Sequence, residues 1–237
     1  NTEEYLQNGL IQVIGHDLDQ AYLDKVASIQ HQPEFAGKNA LKVVFSPLHG
    51  ASGSTVRQLM KHTGYENFMY VEDQMEPNGE FPTLKSPNPE EAGAFELAMK
   101  LGKETAADVL ITADPDGDRV GVAVKQGEDY ELLTGNQTGA ILIEYLLTQL
   151  KEKGQMPANG RVFKTIVTSD LGRVIAEYHG SSTEDVLTGF KFIGEKIQQY
   201  TETNEYTFLF GYEESYGYLI QPLVRDKDAI QSVLAII

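Results

Sequence analysis

The run Asp108-Val-Leu-Ile-Thr-Ala-Asp-Pro-Asp-Gly-Asp-Arg-Val-Gly-Val-Ala-Val124 holds two strands and a turn. Asp108–Ala113 and Val120–Val124 are apolar, β-branched stretches of strand length, and Pro115 and Gly117 enforce the turn between them. Asp114, Asp116 and Asp118 alternate through that turn, and Arg119 closes it. Such carboxylates repel one another unless a cation sits among them, and a hard divalent ion with oxygen ligands is the natural occupant. An EF-hand is excluded, because Arg119 and Lys125 stand where its loop requires glycine and glutamate. Three carboxylates leave part of an octahedral Mg²⁺ shell open to water or a phosphate oxygen. Arg119 could then pair with that phosphate or orient a ligand carboxylate. The competing reading is a solvated acidic hairpin tip.

Outward from this run the pattern alternates strands and helices. Upstream, Tyr22, Leu23, Val26 and Ile29 fall at helical spacing, and Gln32-Pro33 stops them. Leu41–Phe45 predicts a strand, Ser46–Gly53 a turn, Thr55–His62 a helix and Phe68–Val71 a second strand. The prolines between Phe81 and Pro89 impose extended backbone. Asn88 is expected to cap a helix whose first turn is Pro89, Glu90 and Glu91 and which runs on through Ala94–Glu104. Downstream a second cycle follows: helix Thr138–Lys151, strand Arg161–Thr168, helix Arg173–Tyr178, then strands Asp185–Leu187 and Tyr206–Phe210 flanking helical Gly194–Tyr200. From Asp226 the chain is again helical. The expected fold class is α/β: two consecutive three-layer α/β domains with mixed, mostly parallel sheets, one design used twice. The boundary falls near Leu133–Asn136, giving domains 1–134 and 135–237. In such sheets ligands bind at the carboxyl ends of strands.

The chain has 237 residues, and its 35 acidic against 19 basic side chains give a net charge of −16, which argues against a nucleic-acid partner. A local cation or metal can still reverse the sign of one pocket. No apolar run is long enough for a membrane span, and no signal-peptide pattern opens the sequence. The absence of cysteine removes disulfides, thiolate catalysis and Cys-based zinc sites, and fits a cytoplasmic location.

A second loop, Gly211-Tyr-Glu-Glu-Ser-Tyr-Gly217, follows the Phe208–Phe210 strand. In a β-like loop Glu213 and Ser215 would point the same way, an acceptor and a donor for neighbouring hydroxyls, with Glu214 facing away. Lys227, in Arg225-Asp-Lys-Asp228, sits at a helix start, where the dipole disfavours a cation and so invites an anionic partner. His49 and the Gly50-Ala-Ser-Gly53 turn lack a Walker or dinucleotide fingerprint and are read as structural. The remaining histidines show no metal spacing.

The Asp loop and the Gly211–Gly217 loop, taken with Ser46-Pro-Leu-His-Gly50, Gly79-Glu-Phe-Pro82, Pro87-Asn-Pro-Glu-Glu91, Thr188-Gly-Phe-Lys191 and Val224-Arg-Asp-Lys-Asp228, resemble the α-D-phosphohexomutase superfamily in its phosphoglucomutase/phosphomannomutase branch. The resemblance covers nearly the whole chain and implies the second and third of four domains. It implies one Mg²⁺ per chain on Asp114, Asp116 and Asp118, with Arg119 steadying a phosphate. It places Glu213 and Ser215 on sugar hydroxyls, Lys191 and Arg225 near substrate, and Lys227 beside the transferring oxygen as general acid or cation. Ala229 departs from the glycine common in the last motif.

The implied reaction is intramolecular phosphoryl transfer on hexose phosphates through glucose 1,6-bisphosphate, with a phosphoserine from a Ser-His loop in the first domain. The first and fourth domains are the implied partners. No serine here precedes histidine, and the terminal helix is still apolar at Ser232–Ile237. The chain is therefore expected to be a piece of a mutase, inactive alone. The alternatives are a pentose or amino-sugar phosphomutase, or a non-enzymatic metal- or carbohydrate-binding module.

Overall fold

A computed structural model describes residues 2–35 and 37–237. Its first half contains α1 (Thr2–Gln7), α2 (His16–Ala27), β1 (Val43–Ser46), α3 (Ser52–Thr63), β2 (Phe68–Tyr70), α4 (Glu96–Thr105), β3 (Val109–Ala113), β4 (Val120–Gln126) and β5 (Asp129–Leu133). Its second half contains α5 (Gly135–Glu152), β6 (Gly160–Thr165), α6 (Leu171–Tyr178), β7 (Ser182–Val186), α7 (Phe190–Thr203), β8 (Thr207–Tyr212), β9 (Tyr218–Leu219) and α8 (Ala229–Ile236). The first sheet has strand order β2-β1-β3-β4-β5 and the second β7-β6-β8-β9. In both, the first three strands are parallel and the last pairings antiparallel. The repeated design inferred from the sequence is thus one topology used twice, with β5 added to the first copy.

Strand alternation builds the layers. In β1, Val43 and Phe45 face the core shared with α3, while Val44 faces the layer under α4 with Leu48, Phe95 and Leu110. In the second sheet Phe163 joins Ile193, Ile197 and Tyr200 of α7, and Val162 faces the opposite side. The largest core is continuous across both units: Ile111 and Val122 share it with Leu142, Leu146, Val162, Phe210 and Val233. Burying each such side chain contributes about 1.5–3 kcal/mol, so this shared core holds the two sheets in one arrangement.

Several boundaries differ from the sequence reading. Helix α5 starts three residues before Thr138, because Thr134 and Gln137 form a capping box. The Asn88 side chain does accept the Glu90 N–H, at 3.1 Å, but the chain there is a turn. A 3-10 segment, Ala92–Phe95, follows before α4 begins at Glu96. β6 ends at Thr165, short of Thr168, and β7 begins at Ser182 where the strand was expected only from Asp185. β5 and β9 carry no strong apolar pattern and form through pairing with their hairpin partners.

Candidate functional site

The Asp loop joins β3 to β4, and the Gly211–Gly217 loop joins β8 to β9, so the two occupy equivalent hairpins of the two sheets. Asp114, fully buried at the end of β3, organises its own loop. Its Oδ1 accepts the Asp118 and Arg119 N–H groups at 3.0 and 2.8 Å, and its Oδ2 accepts Arg119 Nε at 2.8 Å. Arg119 Nη1 also reaches Glu90 Oε1 at 3.1 Å, so the guanidinium bridges Asp114 and Glu90. The Ser46–Gly53 turn braces the loop from behind. Ala51 N–H donates to Pro115 O at 2.9 Å, and a Cβ on Gly50 would lie 2.4 Å from Pro115 Cα. His49 fixes that turn through Glu76 O and Thr83 Oγ1.

In the second hairpin the buried Glu213 accepts the Gly189 N–H at 3.1 Å through Oε1. Glu214 and Ser215 form a turn, so the extended geometry expected to align Glu213 with Ser215 is not what the loop adopts. Glu214 faces Thr165 and Thr168, whose hydroxyls each donate to its Oε2 at 3.0 Å. Ser215 is half-buried in the same turn.

The two hairpins are knitted together. Val120 N–H donates to Tyr216 O at 2.9 Å, and an antiparallel bridge pairs Arg119 with Gly217. Ala229 N–H, at the start of α8, donates to Gly117 O at 3.0 Å. Lys227 lies just before that helix, whose cap is Asp228, accepting Ile230 and Gln231 N–H at 2.9 and 3.1 Å. The same Asp228 accepts the Tyr22 hydroxyl at 2.9 Å, tying α2 to α8. With the cap in place, Lys227 Nζ stands 2.9 Å from Asp118 Oδ2 and 3.9 Å from Glu213 Oε2.

The electrostatics follow. Burial, with the Asp114 charge nearby, pushes the Asp118 carboxyl up to about 6 even though Lys227 opposes the shift. Asp116 is raised for the same two reasons, burial first. Burial also raises Glu213, against Lys227 and the Gly189 N–H. Burial works against the Lys227 ammonium, but Asp118, Glu213 and Asp226 outweigh it and hold its value above that of an ordinary lysine.

One oxygen from each of Asp114, Asp116 and Asp118 can be chosen so that all lie within 4.8 Å of one another. An all-oxygen donor set this close together fits a hard divalent cation. Lys191 is exposed with its ammonium 5.0 Å from the Phe192 ring, and Arg225 bonds Pro222 O and Gln198. Lys164 is a fully buried ammonium at the end of β6, marked in the sequence as a charge inside the apolar run Val162–Val167.

Fold and site together define a duplicated α/β/α protein with an acidic Asp114–Asp118 loop and a Glu213–Ser215 loop on facing hairpins. Residues 20–127 match the phosphoglucomutase/phosphomannomutase alpha/beta/alpha domain II, and residues 134–237 match domain III. The chain belongs to this family. It is 38% identical over 215 residues to a phosphoglucomutase of Staphylococcus aureus, covering 90% of this chain and 38% of that protein. To the phosphoglucomutase of Staphylococcus saprophyticus it is 36% identical over 230 residues, 97% of this chain and 41% of that protein. The chain thus spans about two fifths of the curated relatives it matches.

Among solved structures, a phosphoglucomutase/phosphomannomutase family protein from Burkholderia thailandensis shares the fold with a TM-score of 0.68 at 18% identity, over 98% of this chain and 46% of that one. The open form of Paramecium parafusin, a phosphoglucomutase, gives 0.67 at 19% identity, over 91% and 36%.

Proposed function

We propose that this chain is the central part of a phosphoglucomutase, in which the two hairpins build one Mg²⁺-dependent site for moving a phosphoryl group within a hexose phosphate. The observation that carries the reading is Lys227, whose ammonium faces Asp118 at 2.9 Å and Glu213 at 3.9 Å. A sugar phosphate seated there meets the metal loop, the cation and the hydroxyl-binding loop together.

In this reading Asp114, Asp116 and Asp118 hold Mg²⁺, which when bound supplies charge stabilisation for the phosphoryl group in transfer. Arg119 keeps Asp114 aimed. Glu213 accepts from one ring hydroxyl and Ser215 donates to its neighbour. Lys227 neutralises charge developing on the bridging oxygen, or protonates it. A loop that reads hydroxyls present in both orientations of the sugar tolerates its turning over, as a route through glucose 1,6-bisphosphate requires. The phosphoserine and a second phosphate-binding loop would come from other domains of the parent protein, so this chain alone is proposed to be inactive.

Calorimetric titration with Mg²⁺ and then glucose 1,6-bisphosphate tests the assignment. Asp116→Asn is expected to weaken Mg²⁺ binding at least about tenfold with the fold intact; unchanged affinity would mean that the ligands are misassigned. Glu213→Gln with Ser215→Ala is expected to abolish bisphosphate binding and spare Mg²⁺. Bisphosphate binding that survives both changes would remove the sugar loop from the account.

A further inference from the structure

We infer that Thr165 and Thr168, pinned by the buried ammonium of Lys164, are positioning residues that set Glu213 and Ser215 in place through the Glu214 carboxylate. This rests on reading the Gly211–Gly217 loop as the sugar-binding element.

The contacts form one chain. Glu214 Oε2 accepts from Thr165 Oγ1 and Thr168 Oγ1 at 3.0 Å each, and the two hydroxyls lie 2.7 Å apart. Thr168 Oγ1 also accepts the Glu214 N–H at 3.2 Å, so it serves as donor and acceptor to the same residue. Both threonines are buried. The Thr168 carbonyl accepts from Lys164 Nζ at 2.9 Å, and Nζ stands 3.2 Å from both Asp170 and Asp185. Arg173 bridges the same two carboxylates. A lysine this deep costs stability unless it is paired and hydrogen-bonded, and an apolar residue would fill the space more cheaply. What the ammonium adds is a fixed Thr168 carbonyl, and with it a fixed pair of hydroxyls.

The main chain of the turn is held from the other side. A Cβ on Gly135 would lie 2.0 Å from Glu214 O, so the turn rests directly on the start of α5. Asn136 of that helix accepts Ser169 N–H at 2.9 Å, joining α5 to the threonine segment. Glu214 is therefore fixed by side chain and backbone, and its neighbours on either side are the two residues proposed to read the sugar. The same contacts turn the Glu214 charge toward the threonines, where it does not oppose an anionic substrate.

Amide hydrogen exchange on the full 237-residue chain tests this with the pair T165V/T168V and T165S/T168S. Valine keeps the shape and removes the hydroxyl; serine keeps the hydroxyl and loses the methyl. Protection of Glu213–Gly217 should fall at least about tenfold in the valine protein, hold in the serine protein, and stay unchanged at Asp114–Arg119 in both. Unchanged protection in the valine protein would overturn the inference. So would loss in both proteins, or loss across the whole chain, since either marks a packing role. Glucose 1,6-bisphosphate affinity should follow the same order, weakened about tenfold by valine and kept by serine. Failure of the unaltered chain to bind the bisphosphate would count against the sugar-site reading, while the exchange result still decides the anchoring.

Discussion

The two hairpin loops occupy the same place in two copies of one topology, yet they are held in different ways. The loop proposed to hold the metal is tied mainly to itself: Asp114 accepts two backbone N–H groups and a guanidinium from its own turn. The loop proposed to read the sugar is tied to its neighbours, through Glu214 to Thr165 and Thr168 and through Glu213 to Gly189. In both units the segment after the first strand acts as the brace, Ser46–Gly53 in one and Thr165–Asp170 in the other. A loop that crowds three carboxylates needs internal donors to stay folded. The Glu213–Gly217 loop has its restraint applied from outside, on Glu214 and on one oxygen of Glu213.

The sharpest way to break this comparison is to disturb each brace separately. Gly50→Ala drives a Cβ into Pro115, and Gly135→Ala drives one into Glu214 O. Each is expected to cost about 2–3 kcal/mol in urea denaturation. NMR shifts should be confined to the metal loop for the first and the sugar loop for the second; shifts in both loops from either change would erase the distinction.

Removing the internal tie comes next. Arg119→Met leaves the buried Asp114 Oδ2 without its guanidinium and is expected to cost about 2 kcal/mol while weakening Mg²⁺ binding. Mg²⁺ affinity equal to that of the parent chain would assign the orienting of Asp114 to the backbone alone. A smaller effect should attend Lys227→Met. Taking away a cation 2.9 Å from Asp118 is expected to tighten Mg²⁺ binding several-fold by calorimetry, about 1 kcal/mol. Looser binding would show that Lys227 organises the metal loop instead of competing with the ion.

The smallest expected effect serves as a control away from both hairpins. Burial opposes ionisation of Glu184, but Lys196, Tyr200 and Arg161 outweigh it and hold its carboxyl below the ordinary range. A depressed carboxyl contributes stability above its unfolded pKa, and that contribution is lost as pH falls through the lower folded value. Glu184→Gln should therefore cost less than about 1 kcal/mol near neutrality and flatten the loss of stability below about pH 4.5. An unchanged acid limb would show that the ion cluster contributes nothing to stability.

Much of this was legible in the sequence, and the gaps have a common cause. The Asp loop and the duplicated βαβ order rest on local composition and spacing, whereas the Glu213–Ser215 loop and Lys227 stand out only through the resemblance of their motifs. Lys227 reaches the site because Asp228 caps α8 and bonds Tyr22, a partner 206 residues away that no spacing rule reveals. The role of Glu214 depends on hydroxyls 46 and 49 residues distant, and β9 exists only through pairing. Lys191, in α7, lies against Phe192, and Arg225 bonds Gln198 of the same helix 27 residues away, a contact that no spacing rule reveals.

The central claim is that both hairpins form a single site. An NMR titration of the chain with Mg²⁺, followed by glucose 1,6-bisphosphate, tests it most directly. The account predicts Mg²⁺ shifts at Asp114–Arg119 that cross the bridge to Tyr216, Gly217 and Lys227, then bisphosphate shifts at Glu213–Gly217 and Lys227. Mg²⁺ shifts that stop at Arg119, with bisphosphate shifts absent from the second hairpin, would contradict it.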